Sequence, residues 1–160
     1  MAIFNMGCYY RVGVNGFPRD YTKALELWHQ AADLGCAGAY NNIGCAYDIG
    51  EGVEVDKKKA KHYLELAAMA GDVAARNNLA VNEVRTGNMD RALKHWIIAV
   101  KGGKKKSLDS IKWLYSNGHA RKDDYANALQ AYQAYIEEIK SVERDEAAAA
   151  ASERWRYLLD

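Results

Sequence analysis

Residues Gly44–Ala60 read GCAYDIGEGVEVDKKKA, and a looser copy, GCYYRVGVNGFPRDYTKA, occupies Gly7–Ala24. Glycines beside acidic residues and lysines are also found in phosphate-binding and metal-binding loops. A loop of that kind is needed only once, because it serves one ligand. A stretch that recurs serves the architecture instead, so the two copies predict a protein built from similar units.

A second pattern follows each copy and continues to the end of the repeated region. Small and apolar residues recur at positions i, i+4, i+7 and i+8, which lie on one face of an α-helix. These residues are Ala24, Trp28, Ala31 and Ala32; Ala60, Leu64, Ala67 and Ala68; Ala92, Trp96, Ala99 and Val100; and Ala128, Tyr132, Tyr135 and Ile136. Ala60 follows Ala24 by 36 residues, as Ala128 follows Ala92.

Another helical pattern precedes each of these helices, so every unit is predicted to be a pair of helices. The core positions of the first helices are Ala2, Met6 and Tyr10; Ala39, Ile43 and Tyr47; Ala75, Leu79 and Glu83; and Ser107, Ile111 and Tyr115. The predicted N-caps of the second helices are Asp20, Asp56, Asn88 and Asp124, because their side-chain oxygens can accept hydrogen bonds from free backbone N–H groups.

Two helices in each period of about 36 residues are typical of an α-solenoid, in which each unit buries its apolar face against its neighbours. We therefore predict an all-α, right-handed α-solenoid of about four antiparallel helix pairs within residues 1–140. The predicted units are 1–35, 36–71, 72–103 and 104–140. Residues 141–160 contain an alanine-rich run and Trp155, which predict a C-terminal capping helix over the last pair.

Composition excludes several classes of protein. Lysine and arginine number 22 and aspartate and glutamate 21, so no overall charge attracts nucleic acid or an anionic membrane. No apolar run approaches the ~20 residues that span a bilayer, and the N-terminus lacks a secretory signal. Cys8, Cys36 and Cys45 are odd in number and have no CxxC spacing, which argues against disulfides and a zinc site. We therefore expect a cytoplasmic protein of a reducing compartment, without cofactor or metal.

The second unit contains a known repeat pattern. Its residues are Asn42, Gly44, Tyr47, Gly50, Gly52, Val53, Asp56, Lys59, Ala60, Ala67, Ala68 and Gly71. This pattern resembles the Sel-one-like repeat of the tetratricopeptide superfamily, and the resemblance extends over about residues 1–140. It implies a protein-binding scaffold or adaptor with no chemistry of its own. Some members carry a RING zinc finger, but this chain has no such cysteine and histidine array, so ubiquitin-ligase activity is not implied.

The first helix of each unit is expected to line the concave face, as in tetratricopeptide relatives. The candidate residues for binding a protein or an extended peptide are Asn5, Arg11, Asn41, Asn42, Asp48, Asn77, Asn78, Arg85, Asp109 and Trp113. Asn5, Asn42 and Asn78 form a ladder of amides that could pair with a peptide backbone. The alternative is that these amides satisfy polar groups between packed helices.

Trp113 is the predicted anchor of the interface. Ile111 and Tyr115 are expected to fill the core positions of its helix, and aromatic side chains often supply most of the binding energy. The alternative is that Trp113 packs beneath the capping helix.

Two lysine clusters leave a nucleic-acid function open as an alternative. They are Lys57, Lys58, Lys59 and Lys61, and Lys101, Lys104, Lys105 and Lys106. Solvated helix faces are the preferred interpretation, because the aromatic residues follow core spacing and do not alternate with the lysines. Helical repeats of similar length can read RNA base by base, however. A purely structural role, with self-association through the uncapped N-terminal repeat, is the third interpretation.

An enzymatic function is not predicted. No nucleophile stands beside a base, and no pair of carboxylates is set apart from the repeat pattern. The sequence identifies neither the partner nor the pathway nor the oligomeric state.

Overall fold

Eight helices make up the described part of the computed structural model, which comprises residues 2–14 and 16–156 without the side chains of 148 and 151–156. They are α1 (Ala2–Val12), α2 (Tyr21–Asp33), α3 (Ala37–Ile49), α4 (Lys57–Met69), α5 (Val73–Arg85), α6 (Met89–Lys101), α7 (Lys105–Ser116) and α8 (Lys122–Arg156). No strand occurs in these residues, so the all-α prediction is confirmed. None of these helices has the length and apolarity required to cross a membrane.

The helices stack in sequence as antiparallel pairs. The pairs are α1–α2, α3–α4, α5–α6 and α7–α8, and each pair packs on the next through α2–α3, α4–α5 and α6–α7. The core lies between the helices of each pair and continues into the following pair. This order of packing confirms the predicted solenoid of four helix pairs.

Glycine allows the helices of the first two pairs to approach closely. A Cβ atom added to Gly44 on α3 would lie 2.8 Å from Cγ of Leu64 and 3.1 Å from the carbonyl oxygen of Ala60, both on α4. A Cβ atom added to Gly7 on α1 would lie 2.6 Å from the indole of Trp28 on α2. These separations are shorter than van der Waals contact, so a larger residue would push the helices apart.

Two of the four predicted N-caps are confirmed. The Asp20 carboxylate accepts a hydrogen bond from the N–H of Lys23 at 2.9 Å. The Asp56 carboxylate accepts from the N–H groups of Lys58 and Lys59, each at 3.0 Å. Because these caps depend on residues two or three positions away, the local sequence is sufficient to predict them.

The other two predicted caps differ from the structure. Asn88 precedes α6, but its side-chain N–H groups bond Glu83 and Thr86, each at 2.9 Å, and do not cap the helix. The bonds to Glu83 and Thr86 orient the Asn88 side chain through its N–H groups, and its oxygen accepts no cap bond from the backbone of α6. Asp124 lies inside the first turn of α8 and accepts from the backbone N–H of Arg121 at 2.9 Å, so α8 begins earlier than predicted.

The core of α7 also differs by one position from the prediction. Ile111 and Leu114 are fully buried, whereas Tyr115 is exposed and stacks on Tyr125 of α8 with ring centroids 5.9 Å apart. The apolar stripe of a helix follows 3.6 residues per turn, and the packing of α8 selects the Leu114 side of that stripe.

The C-terminal segment continues the last helix of the solenoid. The predicted boundary at residues 140 and 141 does not coincide with a helix end, because α8 is unbroken from Lys122 to Arg156. This range contains no glycine or proline and includes an alanine run, both of which favour continuous helix. Val142 is exposed in the extension. The contact predicted for Trp155 falls on a side chain outside the described residues.

Candidate functional site

Side chains join each first helix to the first helix of the next pair. Asn42 on α3 donates from Nδ2 to Sγ of Cys8 on α1 at 3.7 Å. Asn78 on α5 donates to Sγ of Cys45 at 3.3 Å and to Oδ1 of Asn41 at 2.9 Å, both on α3. The predicted asparagine ladder thus has two members that bridge helices, which favours the alternative interpretation of their amides.

The thiols of Cys8 and Cys45 are the acceptors in this row. All three cysteines of the chain are free. Burial raises the pKa of the Cys45 thiol above its ordinary value, and the positive charge of Arg11 offsets this only in part. A protonated thiol is a weak nucleophile. Cys45 therefore contributes to packing between α3 and α5.

Asn77 is directed into the protein. Its Oδ1 accepts from the Trp96 indole N–H at 3.2 Å and from the Ser107 hydroxyl at 3.0 Å, so it connects α5 to α6 and α7. Trp28 occupies the position of Trp96 in the first pair, and its buried indole N–H has no hydrogen-bond partner among the described residues. In the first pair, Phe4 occupies the position of Asn77, and its side chain has no hydrogen-bond acceptor.

Asn5 and Asp109 are exposed on α1 and α7, separate from the network of the other predicted residues. Arg11 is half-buried at the end of α1 and donates from Nε to Oε2 of Glu51 at 2.8 Å. The ion pair connects the first helix pair to the loop of the second. Arg11 therefore has an intramolecular partner that the sequence does not reveal.

Asp48 and Arg85, both predicted to contact a partner, are paired with each other. Arg85 donates from Nη1 to Oδ2 of Asp48 at 2.7 Å, while Lys57 at the start of α4 bonds Oδ1 of Asp48 at 2.9 Å. The Asp48 carboxylate thus lies between two cations from two different helices. Its side chain is 13 % exposed, whereas that of Arg85 is 54 % exposed.

Glu83 forms the second carboxylate of the same region. Its side chain is 4 % exposed, and its Oε1 accepts from Nζ of Lys61 at 3.0 Å. Oε2 accepts from the Asn88 amide at 2.9 Å, and Arg91 lies 4.0 Å from Oε1. The buried Glu83 carboxylate therefore forms an ion pair with Lys61 of α4 and is also contacted by Arg91 of α6.

The neighbouring cations keep both carboxyl groups ionised. Burial raises the pKa of Asp48, but hydrogen bonds from Lys57 and Arg85 outweigh burial and hold that pKa below its ordinary value. Burial likewise raises the pKa of Glu83, and the hydrogen bonds from Lys61 and Asn88 more than reverse this effect. Both groups are therefore anionic at neutral pH.

A cavity of about 180 Å³ lies beside these ion pairs, between α4 and the C-terminal end of α5. We call it the α4–α5 pocket. It is lined by Lys57, Lys61, Asn82, Glu83, Arg85 and Thr86. Of this set, Arg85 alone was predicted to contact a protein partner, whereas Lys57 and Lys61 belong to the first lysine cluster. The available signal was Glu83, a carboxylate at a core position of the apolar pattern of α5.

Val81 and Trp113 are among the apolar side chains exposed on the first helices. Val81 lies one turn before Arg85 on α5, and Trp113 occupies the aligned position on α7. The Trp113 side chain is 48 % exposed and lies outside the buried core cluster formed by α5, α6, α7 and α8. This placement is consistent with the prediction that Trp113 is available for contact.

Among the described side chains, no cluster of three or more histidine, cysteine, aspartate or glutamate residues could hold a metal ion. The charged groups of the α4–α5 pocket form ion pairs, and the Thr86 hydroxyl beside them donates to the backbone carbonyl of Glu83 at 3.0 Å. The pocket thus offers charged groups for recognition.

Family comparison identifies the repeat unit. The sequence model described as "Sel1 repeat" matches residues 1–36 and 37–72, which contain the pairs α1–α2 and α3–α4. A crystal structure of a Sel1 repeat protein from Oxalobacter formigenes superposes with a TM-score of 0.67 at 24% identity, covering 88% of this chain and 58% of the other. The protective antigen c5321 of uropathogenic Escherichia coli, which displays an SLR fold, superposes with a TM-score of 0.70 at 25% identity, covering 84% of this chain and 30% of the antigen.

Two curated relatives share about a third of their aligned residues with this chain. The ERAD-associated E3 ubiquitin-protein ligase component HRD3B of Arabidopsis thaliana is 32% identical over 98 residues, 59% of this chain. The component HRD3 of Candida glabrata is 34% identical over 93 residues, 58% of this chain. The matches span only 15% and 10% of the length of those two relatives.

Proposed function

Because the chain is a Sel1-like repeat protein, we propose that it is a non-catalytic scaffold that binds another protein, or an extended segment of one, along α1, α3, α5 and α7. The observation that carries this proposal is the exposure of Trp113 and Val81 on the first helices while neighbouring Ile111 and Leu79 are buried. Exposed aromatic and apolar residues are typical anchors of protein interfaces.

The charged groups supply the second part of the proposed surface. Arg85 is exposed one helical turn from Val81, and Asp109 is exposed one turn before Trp113. A partner could thus contact an apolar side chain and a charged side chain on the same helix. Charge around an apolar centre favours specificity and the rate of association. Asn77 and the amide N–H groups of Asn42 and Asn78 have partners between helices and are not part of this surface.

The relatives support a role in a protein assembly. The two curated relatives are components of ERAD-associated E3 ubiquitin-protein ligases, and a component acts by association with other proteins. For this chain we propose association alone and no ligase chemistry. The nucleic-acid alternative gains no support, because no aromatic residue is among the described residues that line the α4–α5 pocket beside Lys57 and Lys61.

Affinity capture from the source cells tests the proposal. The double variant Val81→Ser/Trp113→Ala should lose the proteins retained by the unaltered chain, as identified by mass spectrometry. Ile98→Ser is the matched control, because Ile98 is similarly exposed but lies on α6. It should retain the same proteins.

Thermal melting followed by circular dichroism must accompany the capture. We expect the double variant to stay helical, with a melting temperature close to that of the unaltered chain, because both side chains are exposed. An unchanged set of captured proteins, or recovery of RNA alone, would contradict the proposed surface. A large fall in the melting temperature would instead identify Trp113 as a core residue.

A further inference from the structure

We propose that the α4–α5 pocket binds the carboxylate of an aspartate or glutamate side chain in an acidic segment of the partner protein. This inference rests on the proposed function, since it names the chemistry of the partner. It concerns a different set of residues, however, from the apolar pair Val81 and Trp113. Three features support it: an excess of positive charge, cations that are more exposed than the carboxylates, and hydrogen-bond donors that are still free.

The pocket region carries an excess of positive charge. Its cations are Lys57, Lys61, Arg85 and Arg91, and its anions are Asp48 and Glu83. Four cations surround two carboxylates, so two positive charges are uncompensated within this group. The electrostatic potential in the pocket therefore favours a side chain that carries one negative charge.

The two signs of charge are arranged at different depths. Glu83 and Asp48 are largely buried, whereas the side chain of Lys61 is 44 % exposed and that of Arg85 more so. The partner would thus meet the cations first. Because the buried carboxylates already hold these long side chains in place, less conformational entropy is lost on binding than for free lysines and arginines.

The cations retain donors for a further carboxylate. Arg85 bonds Asp48 and Asn82 through Nη1 alone, and no described residue accepts from its Nε or Nη2. Nε and Nη2 form one edge of the guanidinium group, which is the geometry that binds a carboxylate through two parallel hydrogen bonds. Lys61 has three N–H donors and uses one for Glu83.

The dimensions and surroundings favour a side chain over a nucleotide. The cavity of about 180 Å³ is smaller than the roughly 300–1,000 Å³ of most small-molecule sites. Proteins that bind single-stranded nucleic acid combine cations with aromatic faces for base stacking, and no aromatic residue is among the described residues that line this cavity. The Tyr47 ring, beside Asp48 in the sequence, lies beneath Lys59, whose Nζ is 5.2 Å from the ring centroid.

The test is a titration of the whole chain with an acetylated, amidated hexaglutamate peptide, followed by ¹H–¹⁵N NMR. We expect saturable shifts of the backbone amides of Asn82, Arg85 and Thr86. The double variant Lys61→Gln/Arg85→Gln should bind at least about fivefold more weakly. This variant leaves Asp48 paired with Lys57, and it leaves Glu83 close to Arg91 and Asn88. The fold should therefore persist, and circular dichroism checks this.

Lys105→Gln/Lys106→Gln is the charge-matched control, because both lysines are exposed at the start of α7. It should bind hexaglutamate as tightly as the unaltered chain. The inference would be overturned if both double variants bound hexaglutamate equally weakly, or if a hexaglutamine peptide bound as tightly as hexaglutamate. Absence of saturable shifts would also overturn it. Tighter binding of a uridine hexanucleotide to the same amides would also overturn it. Each of these results leaves the proposed function standing if capture still depends on Val81 and Trp113.

Discussion

Arg85 on α5 donates to the carboxylate of Asp48 on α3 across 2.7 Å, and the two residues are 37 positions apart in the chain. Asp48 has a second cationic partner, Lys57. Arg85, by contrast, pairs with no other carboxylate among the described residues. We therefore expect Asp48→Ala to lower the free energy of unfolding by about 1–2 kcal/mol, because it leaves two cations side by side. Arg85→Ala should cost less, about 0.2–1 kcal/mol.

Urea unfolding of both variants measures this difference. Lys23→Ala is a suitable control, because Lys23 forms an exposed pair with Glu26 inside one helix and connects no repeats. It should leave the midpoint of urea unfolding nearly unchanged. A larger loss for Arg85→Ala than for Asp48→Ala would contradict the assignment of Asp48 as the shared anion.

Asn78 stabilises the stacking of α5 on α3 through its amide. Asn78→Leu removes the hydrogen bonds to Asn41 and Cys45 and should lower the free energy of unfolding by about 1–2 kcal/mol. Asn5→Leu provides the comparison, since Asn5 holds the aligned position on α1 and is exposed. The measurement is chemical denaturation. Equal effects of the two substitutions would show that the bridge contributes nothing.

Stability should fall with acid through Asp48 and Glu83. Both have a folded-state pKa below the ordinary values of about 3.9 for Asp and 4.3 for Glu, so the unfolded chain binds protons more readily. Their contribution is present above the unfolded pKa values and is lost as pH falls through the lower, folded ones. We expect the free energy of unfolding to decrease from about pH 5 downward.

Glu83→Gln should make that decrease shallower, because the variant has one shifted carboxyl group fewer. Glu146→Gln on the exposed part of α8 should leave the slope unchanged. Urea unfolding at a series of pH values from 6 to about 3 measures the slopes. A wild-type slope in Glu83→Gln would mean that this buried pair is not the source of the pH dependence.

Gly44 determines how closely α3 and α4 pack. Gly44→Ala should lower the free energy of unfolding by about 1–3 kcal/mol, because the new methyl group meets Leu64 and the Ala60 carbonyl. Leu64→Ala alone should cost about 2–5 kcal/mol through the cavity it leaves. In the double variant the methyl group enters that cavity, so the loss should be smaller than the sum. An additive result from thermal or urea unfolding would refute the proposed clash.

Much of the fold follows from interactions between residues close in sequence. The spacing of Ala60, Leu64 and Ala67 predicts an amphipathic helix, and Asp56 marks its start through bonds to the next residues. The same logic fails at Asn88, whose side chain is oriented by N–H bonds to the buried Glu83 of the preceding helix and does not cap α6. It also fails at residue 140, because no local signal there ends a helix.

The candidate site was only partly predictable. Sequence identified Asp48, Arg85 and Trp113 as residues near the face of the first helices, but treated the first two as independent. The α4–α5 pocket was missed, because Lys57 and Lys61 belong to a lysine run that has the composition of a solvated face. Only the position of Glu83 on the core side of α5 reveals that one of these lysines has a buried partner.

By itself, the sequence determined the period of the repeat, the helix pairs and the N-caps at Asp20 and Asp56, because helical periodicity and capping act over a few residues. The tertiary structure decided which polar residues meet. Asn78 reaches Asn41, and Arg85 reaches Asp48, each across 37 positions of the chain. Such pairs depend on the register with which one repeat stacks on the next, and that register is fixed by the packing of whole helices, not by any local stretch of sequence.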